Sequence, residues 1–204
     1  MAETLSQPAR WSAASIAAVA WLGLAVQFET SFLRVGSVAG TVWVMLRFFT
    51  VIANLCSAIL FTGVAWRPGS FAKPFAIAGA AAFMLLVGIT YAMMLRGLIE
   101  LSGGAKLADF LLHTVTPIMV PLFWLLFVPK GRLRWRDPLL WAILPLLYLP
   151  YALARGMAEG SYAYPFIDLA RIGWRLVAFN ALGLLAAFVS VGLVMVALDR
   201  RLVR

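Results

Sequence analysis

The chain has 204 residues, 64% of them hydrophobic and 12% charged, with a net charge of +9. Soluble domains carry roughly 25% charged residues, so this composition belongs to a membrane protein, and the length allows one compact domain and little besides. The basic residues sit between apolar runs rather than along one face, which excludes a nucleic-acid surface and suits topology signals and contacts with anionic lipid headgroups.

A helix needs ~20 apolar residues to cross the ~30 Å hydrocarbon layer. Six runs qualify: 11–28, 42–66, 71–95, 107–128, 138–154 and 174–198. The expected fold is an all-α, polytopic bundle of six transmembrane helices in a single integral membrane domain. The first run lacks a convincing small-x-small cleavage site and is read as a retained helix rather than a signal peptide. An even number of spans places both termini on one side. The N-terminus, the connections near 66–73 and 129–137 and the C-terminus carry Arg10, Arg67, Lys73, Lys130, Arg132, Arg134, Arg136, Arg200, Arg201 and Arg204. The other three connections hold Arg34, Arg47, Arg96, Lys106, Arg155, Arg171 and Arg175, diluted by acids. The bias predicts cytoplasmic termini. Trp66, Trp135, Trp141 and Trp174 fall at predicted ends, where indoles anchor to headgroups. Cys56, the one cysteine, lies inside an apolar run and has no partner for an internal disulfide. Pro117, Pro121, Pro145 and Pro150 interrupt the fourth and fifth runs, and two GxxxG matches, Gly36–Gly40 and Gly156–Gly160, fall in predicted loops.

Polar residues inside spans are costly and point to function. In the second run Arg47, Thr50, Asn54 and Ser57 are spaced as one helix face, and in the fourth run Asp109, His113 and Thr116 repeat the pattern. Counted from Val42 and Leu107, Thr50 and His113 lie ~12 Å and ~9 Å into their helices, in the same outer layer. These types fit a nucleophile, a base and an orienting group. A threonine hydroxyl becomes nucleophilic when a base takes its proton, and His113 is the chain's only imidazole. Asp109, one turn away, would fix the imidazole tautomer, while Arg47 or Asn54 would supply hydrogen bonds to an oxyanion. The reaction requires no metal or organic cofactor.

The run Leu46-Arg47-Phe48-Phe49-Thr50-Val51-Ile52-Ala53-Asn54 resembles the threonine motif of the androgen-induced and androgen-dependent TFPI-regulating membrane hydrolases and of their bacterial six-span relatives. Leu112-His113-Thr114-Val115-Thr116-Pro117 is similar to the family's histidine motif, and Tyr162-Ala163-Tyr164-Pro165-Phe166 to an aromatic segment before its last span. The resemblance implies a lipid ester hydrolase with Thr50 as nucleophile and His113 as base. In animal members the substrates are fatty acid esters of hydroxy fatty acids. It also implies a bacterial-type inner (plasma) membrane and a long-chain lipid-like ester as partner. Tyr162, Tyr164 and Phe166 are read either as covering the outer mouth of the site or, for the two tyrosines, as interfacial anchors. Asp109 departs from the amide found there in animal members.

Plainer readings stand beside these. Thr50 would return its hydroxyl to the Leu46 carbonyl, His113 would bond between helices and Asp109 would cap the fourth helix. Arg47 would snorkel to headgroups, Asn54, Ser57 and Thr116 would hold helices together, and Asp168 would pair with Arg171. The rival function is a non-enzymatic lipid or small-molecule binding or transport protein. A rhomboid-like protease is disfavoured by the lack of a Gly-x-Ser-x-Gly serine motif.

Overall fold

A computed structural model describes residues 5–203 of the chain; Arg204 lies outside the described residues. The protein is all-α, and six helices are long and apolar enough to cross a membrane: Gln7–Val35, Phe49–Trp66, Pro74–Leu95, Gly103–Phe127, Asp137–Glu159 and Leu169–Arg201. We refer to these as the first to sixth spans.

Several helices outrun their apolar cores because local caps, rather than hydropathy, set their ends. The first span begins where the Ser6 side chain accepts from the Ala9 amide and ends at Gly36, whose φ of 78° lets its amide return to the Phe32 carbonyl. The sixth begins at Asp168, whose side chain accepts from the backbone amide of Arg171. That bond replaces the expected pairing with the Arg171 guanidinium. The same span bends at Gly173 (φ 72°, ψ 166°), and the long straight helix starts only beyond it.

The second run departs most from expectation. A separate short helix, Val38–Met45, precedes the second span, and the chain turns at Leu46–Phe48 between them. In a continuous helix the Leu46 and Arg47 carbonyls would accept from residues four places on. Here Tyr151 and Tyr148 of the fifth span donate their hydroxyls to those two carbonyls, at 3.2 and 2.6 Å. The carbonyls freed at the break are thus hydrogen-bonded, as irregular backbone at membrane depth requires.

Small residues set the spacing of the bundle. The third span presents Ala78, Gly79, Ala80, Ala81 and Ala82, all buried, and a Cβ on Gly79 would lie 2.8 Å from the Trp141 ring. Trp141 is therefore packed in the core, 3% exposed, and is not the interfacial anchor expected of it, whereas Trp66, Trp135 and Trp174 are exposed. Gly156 lies inside the fifth span against the Tyr162 ring rather than in a loop. Phe61 and Phe123 meet edge to face at 5.0 Å and tie the second span to the fourth.

Candidate active site

The turn at Leu46–Phe48 makes Thr50 the second residue of a new helix, not a mid-helix residue on a stripe continuing from Arg47. The distance count from Val42 therefore fails, yet the two side chains meet: the Thr50 hydroxyl is 3.2 Å from Nε2 of His113. The Leu46 carbonyl, the acceptor in the plain reading of Thr50, is taken by Tyr151.

His113 sits on a single π-helical turn, Leu111–Val115, followed immediately by Thr116-Pro117. Pro117 has no amide hydrogen to give the His113 carbonyl, and the Thr116 amide bonds to Leu111 instead of Leu112. The Leu112 carbonyl released by this widened turn accepts from Asn54 at 3.1 Å. Asn54, fully buried, also gives its second amide hydrogen to the Thr50 carbonyl at 2.9 Å, and its oxygen accepts from the Thr116 hydroxyl at 2.6 Å. Both amide hydrogens are committed. Asn54 joins the Thr50 turn to the His113 turn and keeps no amide hydrogen for a further acceptor.

Behind His113, Nδ1 lies 3.0 Å from Oδ1 of Asp109. A ring nitrogen facing a carboxylate carries the proton, leaving the Nε2 lone pair directed at the Thr50 hydroxyl. Asp109 is well inside its helix, which starts at Gly103, so it is not the cap of the plain reading. Its other oxygen accepts the Tyr91 hydroxyl at 2.5 Å, and the Tyr91 ring stacks on the imidazole with centroids 4.4 Å apart. Tyr91 opens a second π-helical turn, Tyr91–Leu95, at the end of the third span. No spacing rule marks it in the sequence, because its partners belong to the fourth span.

Arg47 has its partners at and just beyond the end of the fifth span rather than at the Thr50 hydroxyl. Its guanidinium is held by the Glu159 carboxylate and by the Ser161 hydroxyl at 3.1 Å. Glu159 also takes Arg155 at 2.6 Å, whose guanidinium lies over Trp43 at 3.9 Å. Arg47 and Asn54, the two side chains expected to serve an oxyanion, are thus both engaged by other groups. The first turn of the second span leaves the Phe49 and Thr50 amides without intrahelical acceptors. The Thr50 amide points at the Tyr164 hydroxyl, 3.5 Å away. Burial pushes the Tyr164 phenol above its ordinary range, so this hydroxyl keeps its proton.

Beside Thr50 lies a cavity of about 120 Å³ between the third, fifth and sixth spans. Its lining is apolar except for Thr50, Thr90, Tyr148 and Tyr164. Phe166, stacked on Tyr164 with centroids 5.0 Å apart, also lines it; Tyr162 does not, being packed on Gly156. The fold and this constellation together define a polytopic helical membrane protein in which a hydroxyl, an imidazole and a carboxylate are aligned beside an apolar cavity. No protein-family model, no curated protein and no solved structure matches the chain.

Proposed function

We propose that the protein hydrolyses carboxylic esters of lipid-like substrates, with Thr50 as nucleophile and His113 as general base. The observation that carries this reading is the 3.2 Å approach of the Thr50 hydroxyl to Nε2 of His113, with Asp109 on the opposite ring nitrogen. The family resemblance of the two motifs points the same way.

Thr50 Oγ attacks the ester carbonyl carbon as its proton passes to His113 Nε2, and Asp109 stabilises the resulting imidazolium. The carbonyl oxygen, now an oxyanion, takes hydrogen bonds from the Phe49 and Thr50 amides after the Tyr164 hydroxyl yields its place. Fixed donors in a water-poor site are effective in this work because they need no reorganisation. The tetrahedral intermediate collapses, the C–O bond to the alcohol breaks, and His113 returns the proton to the departing oxygen. Water, deprotonated by the same nitrogen, then attacks the acyl-threonine and releases the fatty acid. In this reading the termini are cytoplasmic and the site lies toward the outer face, as the distribution of Lys and Arg implies, and the membrane is the bacterial-type inner membrane that the resemblance implies.

The test is turnover of p-nitrophenyl and long-chain fatty-acyl esters by purified protein in lipid nanodiscs. Thr50→Ala and His113→Ala should each lose at least about 10³-fold in kcat. Near-normal rates in both variants would remove the assignment. A binding or transport role is favoured by one observation, the apolar lining of the cavity. A fluorophosphonate adduct on Thr50 distinguishes hydrolysis from that role; saturable lipid binding with no adduct and no turnover supports the latter.

A further inference from the structure

The cavity beside Thr50 has a neighbour on the outside of the bundle. A second recess of about 180 Å³ lies on the outer side of the third and sixth spans, lined by Ile89, Met93, Met94, Ala187 and Val191 among others. Leu86, Thr90, Leu184 and Phe188 line both spaces and form the wall they share. Met93 is 80% exposed and Ile89 is 44% exposed, so the outer recess faces the surroundings of the bundle, on a helix whose length and composition suit a bilayer. The sixth span is also the least embedded of the six, with 22% of its apolar window buried against 44% for the third. A span held by so few neighbours separates from the third at low cost.

We infer that an acyl chain reaches Thr50 sideways from the bilayer, between the third and sixth spans, and lies along these two adjacent recesses once their shared wall parts. Three features commit the groove to an acyl chain. Its medium is hydrocarbon, which favours an occupant of the same kind. The Thr50, Tyr148 and Tyr164 hydroxyls gather at its inner end, while the outer recess is apolar save for Thr90 in the shared wall. Burying an alkyl chain taken from lipid gains little by transfer, so orientation comes from the polar end and from close packing. Met93 and Met94 give the outer wall unbranched side chains that adjust to a mobile chain. The same π-helical turn carries Tyr91, so the chain passes beside the residue that holds Asp109.

The inference rests on the hydrolase reading only for what stands at Thr50; the passage itself is tested without turnover. Protein in phosphatidylcholine nanodiscs is irradiated with a palmitic acid bearing a terminal diazirine, and adducts are located by peptide mass. The expected result is labelling of residues 86–94 and 184–191 that saturates and is suppressed by excess unlabelled palmitate. Ala187 is exposed and lines the outer recess, so Ala187→Trp should remove the saturable labelling. Leu182→Trp, on an equally exposed face that lines neither space, should leave it unchanged. Labelling spread over all lipid-facing helices, insensitive to competitor or to Ala187→Trp, would overturn the passage. In the ester assay Ala187→Trp should raise KM for p-nitrophenyl palmitate about tenfold and leave the acetate ester unaffected. Saturable groove labelling in a protein that hydrolyses no ester would sustain the passage while overturning the proposed function.

Discussion

Replacing Asn54 with alanine tests whether the second and fourth spans hold the site in register. The substitution removes three hydrogen bonds: to the Thr50 carbonyl, to the Leu112 carbonyl and from the Thr116 hydroxyl. Thr116 retains the Leu111 carbonyl at 3.1 Å, and the Thr50 carbonyl belongs to a helix, so the Leu112 carbonyl is the group left worst off. The one Thr116 hydroxyl proton, given to Leu111, does not also serve the Leu112 carbonyl, which lies farther off at 3.4 Å. A buried acceptor deprived of its partner costs about 1–3 kcal/mol, and interhelical bonds in membranes average about 0.6 kcal/mol with a maximum near 1.7. Asn54→Ala should therefore destabilise the protein by about 2 kcal/mol, read as a shift in a reversible detergent-unfolding midpoint. Turnover should fall further than stability implies, because about 1 Å of misplacement between Thr50 and His113 costs on the order of 10²-fold in kcat. In the cycle with Thr116→Val the two changes should couple by about 1 kcal/mol. Loss of stability with kcat unchanged, or strict additivity with Thr116→Val, would refute the role of this amide in aligning the nucleophile and base.

Other expectations follow from single contacts. Asp109→Asn, which leaves the packing intact but offers His113 a wrong partner, should lower kcat by about 10³–10⁴-fold in the ester assay. Tyr91→Phe removes the 2.5 Å bond to Asp109 and keeps the stack on His113, so it should lose about tenfold in kcat, with Tyr91→Ala losing more. Glu159→Gln leaves the buried Arg155 without its carboxylate and should lower the unfolding midpoint by on the order of 2 kcal/mol. Gly79→Val drives a side chain into the Trp141 ring and should cost about 1–3 kcal/mol by the same unfolding measurement.

Much of the architecture was legible without coordinates. Six apolar runs became six long helices, whereas Thr50 and His113 meet although the turn at Leu46–Phe48 breaks the stripe and the depth count that paired them. What stayed hidden shares one cause. The turn at Leu46–Phe48 depends on Tyr148 and Tyr151, about a hundred residues downstream, and the support of Asp109 depends on Tyr91 in another span. Arg47 looked available for an oxyanion because its sink, Glu159, lies at the far end of the fifth span. Trp141 looked interfacial because its position at the end of a run carries no record of Gly79. Asn54 and Thr116, by contrast, were read as interhelical bonding groups from their position alone, and they bond to each other.

The number of spans, their approximate limits and the residue types able to do chemistry could all be read from the chain as written. Partition of a helix into lipid is summed over that helix's own side chains, and a run of twenty residues records the sum. Which donor meets which acceptor was settled by how the helices rotate, break and slide against one another. In hydrocarbon each polar group must find its partner on a neighbouring element, so the assignment of Asn54, Tyr91, Tyr148 and the Phe49 and Thr50 amides belongs to pairs of helices and not to any one of them.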